Sequence, residues 1–223
     1  MMQTASGTLD ALCQGLAAEL KEMAQNHNVI RVVGFAGPPG AGKSEAVSKL
    51  QKLLQDATLG TQPLLAGILP MDGFHKSNAV LAAEELSDLK GTPASFDVVG
   101  FLMTLDRAHD GTTVVYAPGY DRALKEPVAA SHKIERTGIV LTEGNYLASQ
   151  DGPWAMVREA IDLLIYLDVP EDVTHQRLLE RHQEAGKTFA ESETWIARVD
   201  APDRLLAEGS RHRADRIWII TEN

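Results

Sequence analysis

Cysteine is nearly missing from this chain, which has a single thiol, Cys13, in 223 residues. One cysteine can form neither an intramolecular disulfide nor a cysteine-based metal site. Apolar runs are short, and none approaches the roughly 20 residues that a membrane-spanning helix requires. The sequence therefore predicts neither a disulfide-stabilised scaffold nor a membrane partner.

Basic residues are also in deficit, because 21 Lys and Arg stand against 31 Asp and Glu, a formal net charge of −10. Nucleic-acid phosphates repel a strongly acidic protein. We therefore expect no nucleic-acid partner, although a local basic pocket for a small phosphorylated ligand is compatible with this balance.

A chain of this length can bury one substantial core, so we expect a single domain over residues 1–223. Residues 1–28 are expected to form an N-terminal helical segment. Charged residues interrupt the apolar pattern over residues 8–24, which predicts an amphipathic helix and not a signal-peptide core. We therefore expect a soluble, cytoplasmic protein.

Apolar runs of strand length alternate with helical patterns along the chain. Strands are predicted at residues 29–36, 63–71, 112–116, 138–143, 163–168 and 216–221, and helices at 44–54, 79–89, 98–109, from 170 onward and at 189–206. This alternation is typical of an α/β fold with an open, mostly parallel sheet and helices on both faces.

The most specific motif follows the strand predicted at residues 29–36. Gly37, Pro38, Pro39, Gly40, Ala41, Gly42, Lys43 and Ser44 match the P-loop pattern GxxxxGK[ST] in full. The glycines let backbone N–H groups converge on nucleotide phosphates, Lys43 can reach the β- and γ-phosphates, and the Ser44 hydroxyl is a ligand for Mg²⁺. The helix predicted to follow adds the positive end of its dipole. A glycine-rich turn that binds nothing is the alternative, and the flanking strand and helix argue against it.

Acidic residues end three predicted strands: Asp72, Glu143 and Asp168. Open α/β sheets bind ligands outside the carboxyl ends of their strands. Phosphoryl transfer needs one carboxylate to orient and deprotonate the attacking hydroxyl and another to hold Mg²⁺, and Asp72 and Glu143 can fill these roles. A turn or N-cap carboxylate is the alternative for each, and a helix start is sufficient explanation for Asp168.

Two arginines, Arg177 and Arg181, lie four residues apart in a predicted helix and so project from one face. They can neutralise charge on a transferring phosphoryl group. The alternative is a solvated face on which they pair with Glu180 and Glu184. A second basic cluster, around Arg213, either contacts the nucleotide or balances nearby acids.

His75 follows Asp72 by three residues. It either lines the acceptor pocket or is a hydrogen-bonded structural histidine. The histidines and acids show no zinc-ligand spacing, so we expect Mg²⁺ to bind with the nucleotide and not in a dedicated cage.

Six motifs occur in a fixed order along the chain: GPPGAGKS, PMDGFH, KGTPASFD, YDR, TEGNY and RLLERH. Together they resemble the phosphoribulokinase/uridine kinase/pantothenate kinase group, and most closely its small bacterial members described as fructose-transport-system or fructokinase-like kinases. The resemblance runs from about residue 29 to 221. The P-loop alone is unspecific, and DGFH together with EGNY makes the assignment specific.

The resemblance implies a P-loop kinase fold with a five-stranded parallel core and an arginine-bearing lid at about residues 171–190. It implies ATP and Mg²⁺ as cofactors, Asp72 as the catalytic base and Glu143 as a residue that positions Mg²⁺, and it places Arg177 and Arg181 in the lid. It assigns Tyr120, Asp121 and Arg122 to the acceptor-binding wall, and we expect selectivity from the pocket around His75, Lys90, Phe96 and Tyr120.

Three departures from the group bear on ligand choice. Glu45, in the nucleotide-binding segment, stands where many relatives have threonine, at a position that is expected to face away from phosphate. Gly91 replaces an aspartate with which uridine kinases recognise the nucleoside sugar. Arg122 stands where those enzymes have an aromatic residue near the nucleobase. A nucleoside is therefore disfavoured as the acceptor.

We accordingly predict an ATP-dependent kinase that phosphorylates a hydroxyl of a small metabolite, a sugar of the fructose type. The alternatives are a pantothenate or nucleoside kinase and, from another class, a nucleotide-binding regulator with slow hydrolysis. The chain lacks the guanine motif Asn-Lys-x-Asp and the transporter signature Leu-Ser-Gly-Gly-Gln, which disfavours a GTPase switch and a transport ATPase. Relatives commonly assemble, which leaves a homodimer open.

Overall fold

A parallel β-sheet forms the centre of the molecule in the computed structural model, which describes residues 3–26 and 30–221. Within these residues the strands are Gln3–Gly7 (β1), Val32–Ala36 (β2), Thr58–Leu59 (β3), Gln62–Pro63 (β4), Leu65–Pro70 (β5), Val115–Asp121 (β6), Glu126–Ile134 (β7), Ile139–Glu143 (β8), Leu163–Asp168 (β9) and Arg216–Ile220 (β10). The α-helices are Leu9–Gln25 (α1), Lys43–Leu54 (α2), Asn78–Ala83 (α3), Val98–Asp110 (α4), Trp154–Glu159 (α5), Glu171–Glu184 (α6), Phe189–Trp195 (α7) and Ala201–Ser210 (α8).

The central sheet has the strand order β1-β10-β9-β2-β8-β5, and every neighbouring pair is parallel. Its inner strands β2 and β8 are buried at every residue. Continuous burial of this kind is typical of a parallel sheet that is covered on both faces. The carboxyl ends of all six strands therefore meet at one edge of the sheet.

Each face of the sheet has its own hydrophobic core. Alternate residues of a strand point to opposite faces, so Val33 and Phe35 belong to the core that includes α1 and α2. Val32 and Ala36 belong to the core that includes α4 and α5. This layered arrangement confirms the predicted α/β fold with helices on both faces.

The sheet has six strands, one more than the five-stranded core that the family resemblance implies. The additional strand is β1, which pairs with β10 at the edge. Three of the five residues of β1 are exposed, so its sequence, QTASG, has no apolar pattern that could predict a strand. Its strand conformation follows from pairing with β10 and not from burial.

The strand predicted at residues 112–116 lies outside the central sheet. It begins at Val115 and, as β6, pairs antiparallel with β7. The middle of β7 is exposed, and for this reason its sequence does not predict a strand. The β6–β7 hairpin contacts β5 and reaches the carboxyl edge of the sheet.

The predicted helices differ from the observed ones mainly at their ends. The predicted helix at residues 98–109 is confirmed as α4: the Asp97 side chain caps its start and Gly111, at φ 67°, ends it. The helix predicted at 79–89 is shorter, since α3 ends at Ala83 and a 3₁₀ turn follows. A π-helical turn, Ile196–Asp200, separates α7 from α8 within the region predicted as one helix.

Parts of two predicted elements lie outside the described residues. These are Val29, where a strand was predicted to begin, and the ends of the N-terminal segment at residues 1–2 and 27–28. None of the helices within the described ranges is long and apolar enough to cross a lipid bilayer.

Candidate active site

Three neighbouring strands deliver the predicted catalytic segments to the same point of the carboxyl edge. β8 lies between β2 and β5, and its last residue, Glu143, is paired with Phe35 on one side and with Pro70 on the other. The P-loop follows Phe35 by two residues, and Asp72 follows Pro70 by two residues. The parallel register therefore brings the P-loop, Glu143 and Asp72 together.

The P-loop turns into helix α2 through glycines in the left-handed region. Gly42 has φ 89° and is the N-cap of α2, so its conformation is one that side chains with a Cβ rarely adopt. Lys43 is buried, and its Nζ donates to Gly37 O at 2.9 Å and to Pro38 O at 2.8 Å. The lysine is therefore held inside the loop, beside the place that phosphates would occupy.

Ser44 and Glu143, the two residues predicted to serve Mg²⁺, are in direct contact. The Ser44 hydroxyl donates to Glu143 Oε1 at 3.2 Å. Burial raises the pKa of Glu143 and the nearby Asp72 raises it further, whereas the Lys43 ammonium opposes the shift. Burial likewise lowers the pKa of Lys43, against the attraction of Glu143. Two oxygen donors beside a phosphate-binding loop fit the ligand preference of Mg²⁺.

Asp72 lies in a 3₁₀ turn, Met71–Phe74, that follows β5 and faces the cleft. Its backbone carbonyl is hydrogen-bonded to His75 Nδ1 at 2.8 Å. Among the described residues no hydrogen bond engages the Asp72 carboxylate. The turn therefore presents an uncommitted carboxylate to the space beside the P-loop.

An aromatic wall continues from Asp72 along the cleft. The His75 ring packs against Phe96 and Tyr120, with centroid distances of 4.0 and 4.9 Å. Lys90 lies over the Tyr120 ring, 5.4 Å from its centroid. Burial lowers the pKa of His75, which favours a neutral imidazole near pH 7. Arg122, on the β6–β7 hairpin, lines the same end of the cleft.

Helix α6 lies over the P-loop from the other side. Arg177 Nη1 donates to Gly40 O at 3.4 Å, and Arg181 is 3.7 Å from Asp200. Glu180, which was considered as a partner of these arginines, instead accepts from Gln176 at 2.7 Å. Both arginines line the cleft, and the Arg181 side chain is 46% exposed, so the face that they share borders both the cleft and solvent.

Most of the predicted site residues line one cleft of about 1140 Å³. These are Pro39, Gly40, Gly42, Lys43, Ser44, Glu45, Asp72, His75, Lys90, Phe96, Tyr120, Arg122, Glu143, Arg177 and Arg181. Gly37 and Pro38 take part through the carbonyls that hold Lys43, and Ala41 is buried behind the loop.

Two predicted site residues are not brought to the cleft. Asp121 accepts hydrogen bonds from the amides of Ala123 and Leu124 at 2.8 and 2.9 Å, so it stabilises the turn of the hairpin. The guanidinium of Arg213 donates to Ala148 O at 3.2 Å and pairs with Glu159 at 3.2 Å. Arg213 therefore connects α5 to the segment before β10. Of the two roles considered for it, these contacts favour pairing with a nearby acid over contact with the nucleotide.

Several cleft residues have no counterpart among the predicted ones. Asp200 is buried, 2.8 Å from His182 Nε2, and Asp203 is buried one helical turn further on. Tyr146, buried against Phe96 of the aromatic wall, donates to Gly91 O at 2.7 Å. In sequence, Asp200 and Asp203 flank a proline at a helix start, a pattern typical of capping, so no signal distinguishes them from capping acids.

The fold and this cleft define a P-loop kinase: a phosphate-binding loop between β2 and α2, with carboxylates on the two neighbouring strand ends. The chain belongs to the Phosphoribulokinase / Uridine kinase family, whose model matches residues 32–201. It is therefore a phosphotransferase, and the predicted resemblance is confirmed.

The names of individual relatives refer to different substrates or to none. Pantothenate kinase of Rhizobium meliloti (strain 1021) is 32% identical over 193 residues, 81% of this chain but 57% of that enzyme. YggC of Escherichia coli (strain K12) is 33% identical over 193 residues, 86% of this chain and 78% of YggC. The structure of a "putative fructose transport system kinase" from Silicibacter sp. TM1040 is 31% identical, with a TM-score of 0.78, and the match covers 95% of this chain and 98% of that one.

Proposed function

We propose that this chain is an ATP-dependent kinase that phosphorylates a hydroxyl group of a small, sugar-like metabolite in the cytoplasm. One observation carries the proposal: Ser44 and Glu143 touch at 3.2 Å beside the buried Lys43, and Asp72 lies in the turn that follows β5, the strand paired with Glu143. Phosphate-binding and proton-accepting groups are thus adjacent in one cleft.

The P-loop would bind the phosphates of the nucleotide. Backbone amides at the start of α2 point toward the phosphate position, where the helix dipole also favours anions. Lys43 would exchange its two carbonyl acceptors for phosphate oxygens. Ser44 and Glu143 would hold Mg²⁺, which when bound neutralises charge on the nucleotide phosphates.

Asp72 is the residue placed to accept the proton of the attacking hydroxyl. General bases need to lie within hydrogen-bond reach of the proton that they remove, and the Asp72 carboxylate faces the cleft without a competing partner among the described residues. Arg177 and Arg181 stabilise the charge of the transferring group from the opposite side.

The acceptor wall supports a compact hydrophilic acceptor. His75 packs against both Phe96 and Tyr120, and Lys90 is held over Tyr120 by hydrogen bonds to Asn78 and to the Lys125 carbonyl. Gly91 offers no side chain where a nucleoside sugar would be recognised. Pantothenate is the second candidate, because it is the substrate named for several relatives at about one-third identity.

An acceptor screen tests this function. ADP release is measured for the purified chain with ATP and Mg²⁺, alone and with D-fructose, D-ribose, D-sorbitol, uridine or pantothenate. We expect turnover that depends on one of these acceptors, with the sugars above uridine. ATP hydrolysis that no acceptor stimulates would instead favour a regulatory NTPase.

Lys43→Ala is the matched control for the screen. Loss of the ammonium removes the main point charge on the β/γ-phosphates, and electrostatic donors of this kind contribute roughly 2.7–4 kcal/mol to the transition state. Acceptor-dependent turnover should therefore fall by about 10²–10³-fold. A loss of less than about tenfold would contradict the P-loop assignment.

A further inference from the structure

A buried carboxylate in the cleft has no hydrogen-bond donor for one of its oxygens. Asp203, in the first turn of α8, is 3% exposed and lines the cleft. Its Oδ1 has no hydrogen-bond partner among the described residues. A buried polar atom without a partner is unfavourable, and for a carboxylate the penalty is larger than for a neutral group. Burial raises the pKa of Asp203 to about 6, and the Tyr146 hydroxyl beside the carboxylate opposes this shift.

The neighbouring groups are already committed to other partners. The single proton of the Tyr146 hydroxyl goes to Gly91 O at 2.7 Å. Lys43 donates to the carbonyls of its own loop. Asp200 is itself an acid and is engaged by His182 and Arg181. The protein therefore keeps a carboxylate at the cleft that its own side chains leave incompletely satisfied.

Asp203 lies between the P-loop and the acceptor end of the cleft, since Lys43 and the Tyr146 hydroxyl are both near its carboxylate. Tyr146 donates to Gly91 O, and Gly91 directly follows Lys90. The Tyr146 ring also packs against Phe96, 5.8 Å between centroids, and Phe96 stacks on His75. Asp203 thus adjoins, through Tyr146, the wall that we propose faces the acceptor, and it also lies near Lys43 of the phosphate-binding loop.

We propose that Asp203 is a specificity-determining residue, whose carboxylate accepts a hydrogen bond from a second hydroxyl group of the acceptor, one that is not phosphorylated. This inference rests on the proposed kinase function. A hydroxyl donor would complete the hydrogen bonding of the carboxylate, and the site would then reject analogues that lack that hydroxyl, because the carboxylate would be left unpaired. The acceptor class is therefore a molecule with at least two hydroxyl groups.

The test combines a variant of Asp203 with analogues of the acceptor. KM and kcat are measured for wild type and Asp203→Asn with whichever of D-fructose, D-ribose, uridine and pantothenate is turned over, and with its analogues that each lack one hydroxyl. A hydrogen bond to a charged group is worth about a tenfold to hundredfold change in affinity. We expect Asp203→Asn to raise KM for the parent compound at least tenfold, with kcat and KM for ATP within about twofold.

The analogues make the assignment specific. For one of them, wild type should show the same loss as Asp203→Asn shows with the parent, and the variant should no longer distinguish parent from analogue. A purely structural carboxylate would not produce that coupling. An unchanged KM for the parent, or equal discrimination by both proteins, would overturn the inference. Absence of acceptor-dependent turnover in wild type would instead remove the proposed function.

Asp215→Asn is the matched control for folding. Asp215 has both oxygens satisfied, by Arg158 at 2.8 Å and by the Leu164 amide at 2.7 Å, and it directly precedes β10. We expect this variant to lower the midpoint of thermal unfolding and to leave KM unchanged, whereas Asp203→Asn should leave the midpoint unchanged or raise it. If Asp203→Asn lowers the midpoint as far as Asp215→Asn does, Asp203 is a satisfied structural group and the inference is wrong.

Discussion

Lys43 is a buried charge that the P-loop itself stabilises. Burial alone would favour a neutral amine, and the lowered pKa of Lys43 reflects this, with Glu143 and Asp72 acting in the opposite direction. Two backbone carbonyls at 2.8–2.9 Å take the place of phosphate oxygens. A nucleotide therefore enters a site in which the lysine is already desolvated, so little rearrangement of solvent accompanies phosphate binding.

Asp72 is the residue on which the kinase proposal depends most. Asp72→Asn keeps the shape of the side chain and removes the proton acceptor. We expect ATP affinity to stay near that of wild type while phosphoryl transfer falls by about 10²–10⁴-fold, the usual contribution of a positioned general base. Equilibrium ATP binding and single-turnover transfer to the accepted substrate measure the two effects separately.

Asp168→Asn serves as the control for that experiment. Asp168 also ends a strand of the sheet, but it pairs with Arg211 at 2.6 Å and does not line the cleft. Its substitution should leave the transfer rate within about threefold. Wild-type transfer by Asp72→Asn would show that Asp72 is not the base.

The sequence predicts some of these residues and not others for a physical reason. Asp72 and Glu143 directly follow or end buried apolar runs, and the P-loop has a fixed pattern, so their meeting at one sheet edge follows from parallel pairing. Asp203 lies in a helix whose acids also fit capping. Only tertiary packing against Tyr146 makes Asp203 a cleft residue, and packing of that kind leaves no local pattern.

Close contact between elements explains the glycine of the DGFH motif. A Cβ on Gly73 would fall well inside contact distance of the Pro118 carbonyl oxygen, on strand β6. The turn that carries Asp72 is therefore pressed against the β6–β7 hairpin, which carries Tyr120. This contact therefore positions the proposed base and the proposed acceptor wall as one unit.

Gly73→Ala should force the turn that carries Asp72 away from the β6–β7 hairpin. We expect a loss of about 1–3 kcal/mol in the free energy of unfolding, as for other overpacked sites, and a fall in kcat larger than tenfold because Asp72 is displaced. Gly15→Ala is the control: Gly15 lies in the middle of α1 with no atom within 4 Å of its added Cβ, and alanine there should stabilise by about 0.5–1 kcal/mol. Urea denaturation and ADP release measure both effects, and a fully active, equally stable Gly73→Ala would contradict the packing argument.

Helix α6 brings two arginines to the cleft, and their substitution tests the role of this element. Arg177→Ala and Arg181→Ala should each lower kcat by about 10²-fold, the contribution of a single electrostatic donor, while ATP affinity changes less. Gln176→Ala, on the exposed face of the same helix and paired with Glu180, should leave kcat unchanged. Full kcat in both arginine variants would mean that α6 only covers the P-loop.

At the scale of elements, buried strands could be predicted from the sequence and exposed strands could not. Strands β2, β8 and β9 are apolar through most of their length and were predicted within three residues of their observed bounds. Strands β1 and β7 expose most of their side chains, and their conformation is fixed by backbone pairing with a partner distant in sequence. The π-helical turn before α8 likewise depends on tertiary contacts, which place Val199 and Asp200 against the cleft.

At the scale of the whole molecule, the net charge of −10 is compatible with a phosphate-binding cleft because charge is distributed unevenly. Seven Lys and Arg side chains line the cleft, and they stand against seven Asp and Glu side chains in the same lining, so the cleft is close to neutral while the excess of acids lies elsewhere in the chain. The net charge of the whole chain therefore does not reveal the local balance at this cleft. The location of the cleft could not be predicted from composition, since it depends on which loops the parallel sheet brings to its carboxyl edge.

Three acidic side chains buried in the two cores should make the folded state less stable at alkaline pH. Cys13 on α1, Tyr166 on β9 and Tyr146 are each no more than 1% exposed. Burial raises the pKa of Cys13 from 9.0 to about 12, and it also raises the pKa values of Tyr146 and Tyr166 above the usual 10.0. These groups keep their protons in the folded state at a pH where the unfolded chain has lost them.

Stability should therefore fall steeply as pH rises above about 10; below that pH the lowered pKa of Lys43 acts with the opposite sign, because the folded protein loses the Lys43 proton before the unfolded chain does. Above about pH 10 the unfolded state binds fewer protons than the folded state, so the free energy of unfolding decreases with pH, by up to about 1.4 kcal/mol per pH unit for each group. Together the three groups lower the free energy of unfolding by about 4 kcal/mol per pH unit between roughly pH 10 and 12, which is enough to unfold a domain of ordinary stability.

Urea titrations followed by circular dichroism at pH 8–11.5 measure how steeply the free energy of unfolding falls with pH. Tyr166→Phe should reduce this slope by about a third, whereas Tyr116→Phe, at a residue that is 61% exposed, should leave it unchanged. An unaltered slope in Tyr166→Phe would show that the β9 tyrosine ionises as freely in the folded protein as in the unfolded chain.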